Sequence, residues 1–138
     1  MSASTTAAPA LTIDEADAFR ARCREFLQAH TTPGGRRNLA AAKEFQGALA
    51  DSGLAGLSYA TEYGGAGLTL EHERIWRQVS QEFPPMTGEL VISHGMCLPV
   101  LNEFGTDDQK RTFMPDNIAG RTLWCQMFSE PGAGSDVA

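Results

Sequence analysis

The residues best equipped for chemistry lie together near the C-terminal end, in Phe128-Ser129-Glu130-Pro131-Gly132-Ala133-Gly134-Ser135-Asp136. The glycines leave backbone N–H groups with few side chains in the way, which suits close approach to a phosphate or an electron-rich ring. Ser129 and Ser135 add hydroxyls that both donate and accept. Glu130 and Asp136 are near enough in sequence to suggest an acid–base pair, but acidic residues in turns more commonly brace the loop through its own N–H groups. Bracing is the expectation here. Because glycine-rich turns follow strands in many proteins, the segment gains meaning only from what precedes it.

Little else in the chain offers reactive chemistry. Cys23, Cys97 and Cys125 are an odd number without C-x-x-C spacing, which argues against a disulfide framework and a zinc site and fits a reducing compartment. Cys23 falls on the apolar side of a helical pattern and Cys125 within a strand-like run, so both are expected to be buried thiols acting as small hydrophobes. His30, His72 and His94 show no ligand spacing, and no metal is expected. The net charge of −6 gives no basic field for nucleic acid or an anionic membrane. Arg36-Arg37 reads as part of a solvated turn. No apolar run is long enough to span a bilayer. Residues 1–10 lack the basic and apolar regions of a signal peptide and read as a loose tail. A soluble, cytoplasmic protein is expected.

The elements that must position the closing segment are mostly helices. Thr12 and Glu15 form a capping box, with Leu11 able to staple onto Ala16, and Ala16, Phe19, Cys23, Phe26 and Leu27 recur at helical spacing. A second helix is expected from about Asn38 to Ser52, with Leu39, Ala42, Phe45 and Leu49 inward and Gly53 just past its end. Tyr59 to Gly67 is too glycine-rich for a regular element. A third helix should run from Thr69 to about Phe83, stopped by Pro84-Pro85. The fourth, about Thr87 to Phe104, is the most apolar and should be buried on several sides, with its regularity weakened at Gly95 and Pro99. Thr106 and Gln109 form another capping box for a short helix to Met114, with one further turn from Pro115 to Ala119. Phe19, Phe45, Trp76, Phe83 and Phe104 read as core. Thr122 to Phe128 then changes character: it is strand-compatible, is followed by Pro and Gly, and would need partner strands to satisfy its backbone.

Four pieces, in order, carry a resemblance to a known family. Ser129-Glu130-Pro131, followed by Gly134-Ser135-Asp136, matches a signature of the acyl-CoA dehydrogenases. Glu62-Tyr63-Gly64-Gly65-Ala66-Gly67 resembles that family's turn after the second helix. Phe104-Gly105-Thr106-Asp107-Asp108-Gln109-Lys110 resembles its Phe-Gly-Thr, acidic pair and Gln-Lys, and Pro115 and Gly120 fall where it has a Leu-Pro and a Ser-Gly-Glu stretch. Departures are Tyr59-Ala60 in place of Trp-Pro, Arg121 in place of Glu, and Ser129 in place of the commoner Thr, which keeps the hydroxyl.

The resemblance implies a mainly α fold. Residues 1–10 would be a tail, 11–121 an N-terminal helical domain, and 122–138 the first strand and flavin-contact loop of a β-domain. It implies FAD as cofactor, with Gln126, Phe128, Ser129, Gly134 and Ser135 against the flavin and Ser135 also touching the CoA part of an acyl-CoA substrate. The activity implied is α,β-dehydrogenation of an acyl-CoA thioester in fatty-acid or related catabolism. Electrons would pass to an electron-transfer flavoprotein, and the complete enzyme would be a homo- or hetero-oligomer. The alternatives are an acyl-CoA oxidase and a non-catalytic helical module, either a truncated product or a piece that docks on a complete subunit. The family's base lies on a C-terminal helical domain, so no acid of this chain is assigned to catalysis. The 138-residue chain alone is expected not to hold FAD and to associate through the segment bearing Trp124 and Phe128. The stretch Leu90 to Pro99 is a candidate wall of the acyl pocket.

Overall fold

The computed structural model describes residues 10–35, 38–127 and 129–132. Five α-helices appear in chain order: α1 (Ile13–His30), α2 (Leu39–Asp51), α3 (Leu70–Ser80), α4 (Leu98–Phe104) and α5 (Asp107–Ile118). Short 3-10 turns at Thr61–Tyr63 and Gly88–Leu90 and a π-turn at Ser93–Cys97 punctuate the connections. The architecture is mainly helical, with no strand among the described residues.

Helix starts follow the capping chemistry in the sequence. The Thr12 N–H donates to Glu15 Oε2 at 2.9 Å while the Glu15 N–H donates back to Thr12 Oγ1 at 3.3 Å. Thr106 and Gln109 repeat the exchange at the head of α5, at 2.9 and 3.2 Å. Asn38 Oδ1 accepts from the Ala41 N–H at 2.9 Å to begin α2. Each such bond satisfies an N–H that the helix leaves without a partner. At α3 the Thr69 N–H donates to His72 Nδ1, so His72 takes the place usually held by Glu or Gln. The same ring meets Phe19 edge-on at 4.7 Å, which gives His72 a packing role.

The core gathers Phe19, Cys23, Phe26 and Leu27 of α1, Phe45 and Leu49 of α2, Ile75 and Val79 of α3, and Met114 and Ile118 of α5. Burial pushes the Cys23 thiol up to about 11, so it stays protonated and behaves as a small hydrophobe. On α2, Ala42, Phe45 and Leu49 face inward as expected, but Leu39 is half exposed; it sits in the first turn, before the helix reaches the core. The buried polar residue on that face is Gln46, whose Nε2 donates to the Ile118 carbonyl at 2.7 Å. One of the orphan carbonyls at the end of α5 is thereby satisfied.

Three helix boundaries differ from the sequence reading. The third helix ends at Ser80, ahead of Pro84-Pro85, while Phe83 still packs on the core. The fourth is broken into the 3-10 turn, the π-turn and α4. Pro99 has no N–H to return to Gly95, and the Leu98 N–H just before it reaches back five residues to the Ser93 carbonyl. The fifth runs on through Pro115 to Ile118, because Met114, Asn117 and Ile118 bury the final turn against its neighbours.

The π-turn is joined to α5 by buried polar groups. Asn117 Nδ2 donates to Ser93 Oγ at 2.8 Å, and His94 Nε2 donates to the Asn117 carbonyl at 2.8 Å. The same Ser93 Oγ accepts the Trp124 N–H at 3.0 Å. Farther along α5, the Tyr63 hydroxyl donates to Asp107 Oδ1 at 2.8 Å, and this bond is the main reason its pKa is pushed up to about 12. Arg111 pairs with Glu62 at 2.9 Å beside it.

The loop from Gly56 to Leu68 is held by its own backbone. The Ala66 N–H donates to Gly56 O, the Gly67 N–H to Tyr59 O and the Leu68 N–H to Leu57 O. Its Thr61–Tyr63 turn is regular structure in a stretch read as wholly irregular. Gly65 is the tight point, since a Cβ there would lie 2.2 Å from the Tyr59 carbonyl oxygen. Gly47, in α2, has nothing within 4 Å of a Cβ placed on it.

The same substitution should therefore have opposite signs at two sites. Gly65→Ala is expected to destabilise the fold by about 2 kcal/mol through overpacking, and Gly47→Ala to stabilise it by about 0.5–1 kcal/mol through helix propensity. Urea unfolding of the two variants measures both.

His94 supplies a pH dependence. Burial, the dominant cause, lowers its pKa below the ordinary histidine value, and its bond to Asn117 only partly opposes this. The unfolded chain therefore binds the proton more readily than the folded one. The contribution of the neutral ring is complete above the unfolded pKa of about 6.5 and is lost as the pH falls below it. Melting temperature should drop as the pH falls below roughly 6.5, and His94→Gln should flatten that part of the profile.

Candidate functional site

Apolar residues on the outer face of α4 and the π-turn before it recur one turn apart. Met96, Val100 and Phe104 follow at four-residue spacing, with Cys97 and Leu101 beside them. Met96, Val100 and Phe104 are exposed, Phe104 to 81%. The expectation that this stretch is buried on several sides is corrected: Leu90 and Leu98 are buried on the inner side, while the outer side is bare. Phe104 is accordingly not a core residue.

The segment Trp124 to Met127 faces this side of α4. Its backbone is fixed where the Trp124 N–H meets Ser93 Oγ, and its indole meets the Phe113 ring edge-on at 5.7 Å. Residues 123–127 form no regular element among the described residues. Cys125, expected to be buried in a strand, is exposed. A strand buries a side chain only when a sheet and a covering layer are present.

Between the two walls lies an open groove of about 670 Å³. Met96, Cys97, Val100, Leu101 and Phe104 form one side, Trp124 to Met127 the other, and Gly105 and Gln109 one end. None of these lining residues carries a charge. The groove therefore suits a neutral, apolar ligand portion and contains no acid or base of its own. Gln126 lines the groove and is exposed, and Ser129, three residues further along the chain, is exposed as well. Both can present polar groups to a molecule that extends out of the groove.

Of the residues singled out in sequence, the structure brings Gln126 to the groove. Phe128, Gly134, Ser135 and Asp136 lie outside the described residues. Glu130 is exposed, and the turn that it and Asp136 were expected to brace lies outside the described residues from residue 133 onward. Of the stretch Leu90 to Pro99, Met96 and Cys97 line the groove, and the helical lining continues beyond it to Phe104. Val100, Leu101, Phe104 and Gln109 were missed. Their signal was a second apolar stripe on the side of α4 opposite Leu98, visible once α4 is treated separately from the turns before it.

A smaller cavity of about 370 Å³ separates α2, α3 and the π-turn. Tyr59, Glu73, Trp76, Arg77 and His94 line it. Burial, and secondarily Glu73, raises the Tyr59 pKa, while Glu73 accepts a hydrogen bond from the Ser58 hydroxyl. Within this cavity Glu73 and His94 are thus engaged by Ser58 and Asn117 of the helical body.

The family described as acyl-CoA dehydrogenase, N-terminal domain, matches residues 13–121. Isovaleryl-CoA dehydrogenase, mitochondrial, from Pongo abelii is 31% identical over 137 residues, covering 90% of this chain and 31% of that protein. Acyl-CoA dehydrogenase IpdE1 from Mycolicibacterium smegmatis is 36% identical over 93 residues, covering 65% of this chain and 23% of that protein. Among solved structures, the ChsE4–ChsE5 complex from Mycobacterium tuberculosis superposes with a TM-score of 0.69 at 26% identity, over 94% of this chain and 33% of that one. The chain spans about a third or less of the length of these relatives. With the family's N-terminal domain matched from the first turn of α1 to the residue after Gly120, the chain belongs to the acyl-CoA dehydrogenase family.

Proposed function

We propose that this chain is the N-terminal helical part of an enzyme that carries out FAD-dependent α,β-dehydrogenation of an acyl-CoA thioester. The observation that carries the reading is the uncharged apolar groove between α4 and residues 124–127, which Gln126 lines. The acyl chain would occupy the groove. Residues 122–138 would be the first strand and flavin-contact loop of a β-domain, as the family resemblance implies.

The described residues fit a flavin at this place. The N–H groups of Cys125, Gln126 and Met127 have no acceptor among the described residues, and the Gln126 and Ser129 side chains are exposed. Such groups can meet the polar edge of an aromatic ring system while the neighbouring apolar wall excludes water. Gln126, Phe128, Ser129, Gly134 and Ser135 would hold the cofactor, and Ser135 would also touch the CoA portion. FAD, when bound, supplies the hydride acceptor. This chain's own residues bind the acyl chain, align it and keep the site dry. No carboxylate here lines the groove, so proton removal from the α-carbon is assigned to no residue of this chain.

Electron-transfer flavoprotein as acceptor, assembly into an oligomer and a cytoplasmic location belong to the same proposal. Similarity to the ChsE4–ChsE5 complex supports assembly. The free state of all three cysteines fits a reducing compartment. No helix among the described residues is long and apolar enough to cross a membrane.

Val100 tests the groove. It is largely exposed, so Val100→Asp should change folding stability by no more than about 0.5 kcal/mol. A charge buried under an acyl chain should nevertheless raise KM for an acyl-CoA about tenfold or more. A dye-coupled reduction assay on the full-length protein gives KM, and a urea melt gives stability. Unchanged KM would place the acyl chain elsewhere. Ser129→Ala should weaken FAD binding about five- to tenfold by removing one hydrogen-bonding group, read from quenching of flavin fluorescence during titration of the apoprotein.

A further inference from the structure

The two walls of the groove share one buried anchor. Ser93 is 3% exposed and lies at the start of the π-turn, one turn ahead of the helical wall. Its Oγ receives the Trp124 N–H at 3.0 Å and Asn117 Nδ2 at 2.8 Å. Trp124 begins the other wall. A single oxygen thus ties the start of one wall to the start of the other, and both of its lone-pair directions are engaged.

Asn117 is 1% exposed and is fixed through its main chain as well, since its carbonyl accepts from His94 Nε2. Its Oδ1 has no partner among the described residues. A buried acceptor left unpaired costs stability, and an apolar residue of similar size would avoid that cost. An amide at this point therefore does something other than stabilise the packing. Its donor directs the Ser93 oxygen so that a free lone pair meets the Trp124 N–H.

We propose that Ser93 and Asn117 are positioning residues that dock the segment 124–127 on the helical body and set the spacing of the groove. The docking rests on geometry alone, while its consequence for cofactor contact rests on the flavin reading above. The π-turn contributes by placing Ser93 and His94, adjacent in sequence, both against Asn117.

Amide hydrogen exchange by NMR on the 138-residue chain tests the docking. The Trp124 amide should be protected in the native chain. In Ser93→Ala its exchange should accelerate about five- to tenfold, with the amides of α1 and α3 unchanged. Ser93→Thr, which keeps the hydroxyl, should restore protection. A Trp124 amide that exchanges at the free-peptide rate in the native chain overturns the proposal without any variant, so a Ser93→Ala chain that fails to fold does not leave the question open. Equal acceleration throughout α1, α3 and Trp124 also overturns it, because Ser93 would then serve the fold generally. Flavin content of the purified full-length protein is read separately. Colourless protein with a Ser93-dependent Trp124 amide sinks the flavin reading and leaves the docking standing; yellow protein with an unprotected Trp124 amide does the reverse.

Discussion

One serine oxygen accepts two donors from separate stretches of the chain, and much of the C-terminal half is organised around it. Ser93 Oγ takes Asn117 from α5 and Trp124 from the segment beyond α5. The cause lies six residues later, at Pro99. A proline inside a helical run removes one backbone donor and crowds the carbonyl four residues before it. Here the preceding turn is widened, so that the Leu98 N–H reaches Ser93 O. The altered turn brings Ser93 and His94 onto the same residue of α5. A helix-disrupting residue thus helps produce the contact that joins the helical body to the groove.

The other half of the molecule obeys a simpler constraint. Helix α1 buries Phe19, Cys23, Phe26 and Leu27 against α2 and α3, and the charged residues of α1 remain outside. Surface ion pairs such as Arg24–Glu82 at 2.9 Å contribute little in water. Apolar burial therefore dominates this half, at about 25 cal/mol for each Å² removed from water. The two halves meet at α5, where Met114 and Ile118 belong to the core and Asn117 to the polar anchor. Tyr63 braces the opposite end of α5 through Asp107.

Local chemistry explains which parts of this arrangement were legible in sequence. The capping pairs Thr12–Glu15 and Thr106–Gln109 are satisfied within four residues, and the structure forms both. Gly53 takes the left-handed φ of +70° that the end of α2 requires. The burial of Ala16, Phe19, Cys23, Phe26 and Leu27 also follows from spacing along one helix. What failed depends on distant partners. Apolar Phe104 and Val100 look like core residues until one knows that no described element covers them. Pro115 reads as a stop until Met114 and Ile118 are seen holding its turn. Ser93 and Asn117 are 24 residues apart and carry no motif, so no local pattern could pair them. Of the predicted cofactor contacts, Gln126 lines the groove and Ser129 is exposed, while Phe128, Gly134 and Ser135 fall outside the described residues.

Exposed aromatic and aliphatic side chains on α4 contribute almost nothing to folding, since their area remains in water. Their worth must come from what covers them. The distribution of charge narrows the kind of cover. A chain with a net charge of −6 places none of its ionised side chains among the groove's lining residues. An anionic head group would gain no attraction from this surface, so affinity there must come from burying carbon. Each methylene taken out of water contributes about 0.8 kcal/mol. For the acyl thioester proposed above, this wall would grip the hydrocarbon and leave the CoA phosphates to other surfaces. Binding would then depend on how far the walls stand apart, because a gap of even half an ångström forfeits much of the dispersion contact. That spacing starts at the Ser93 oxygen, which makes a buried polar group the determinant of an apolar fit.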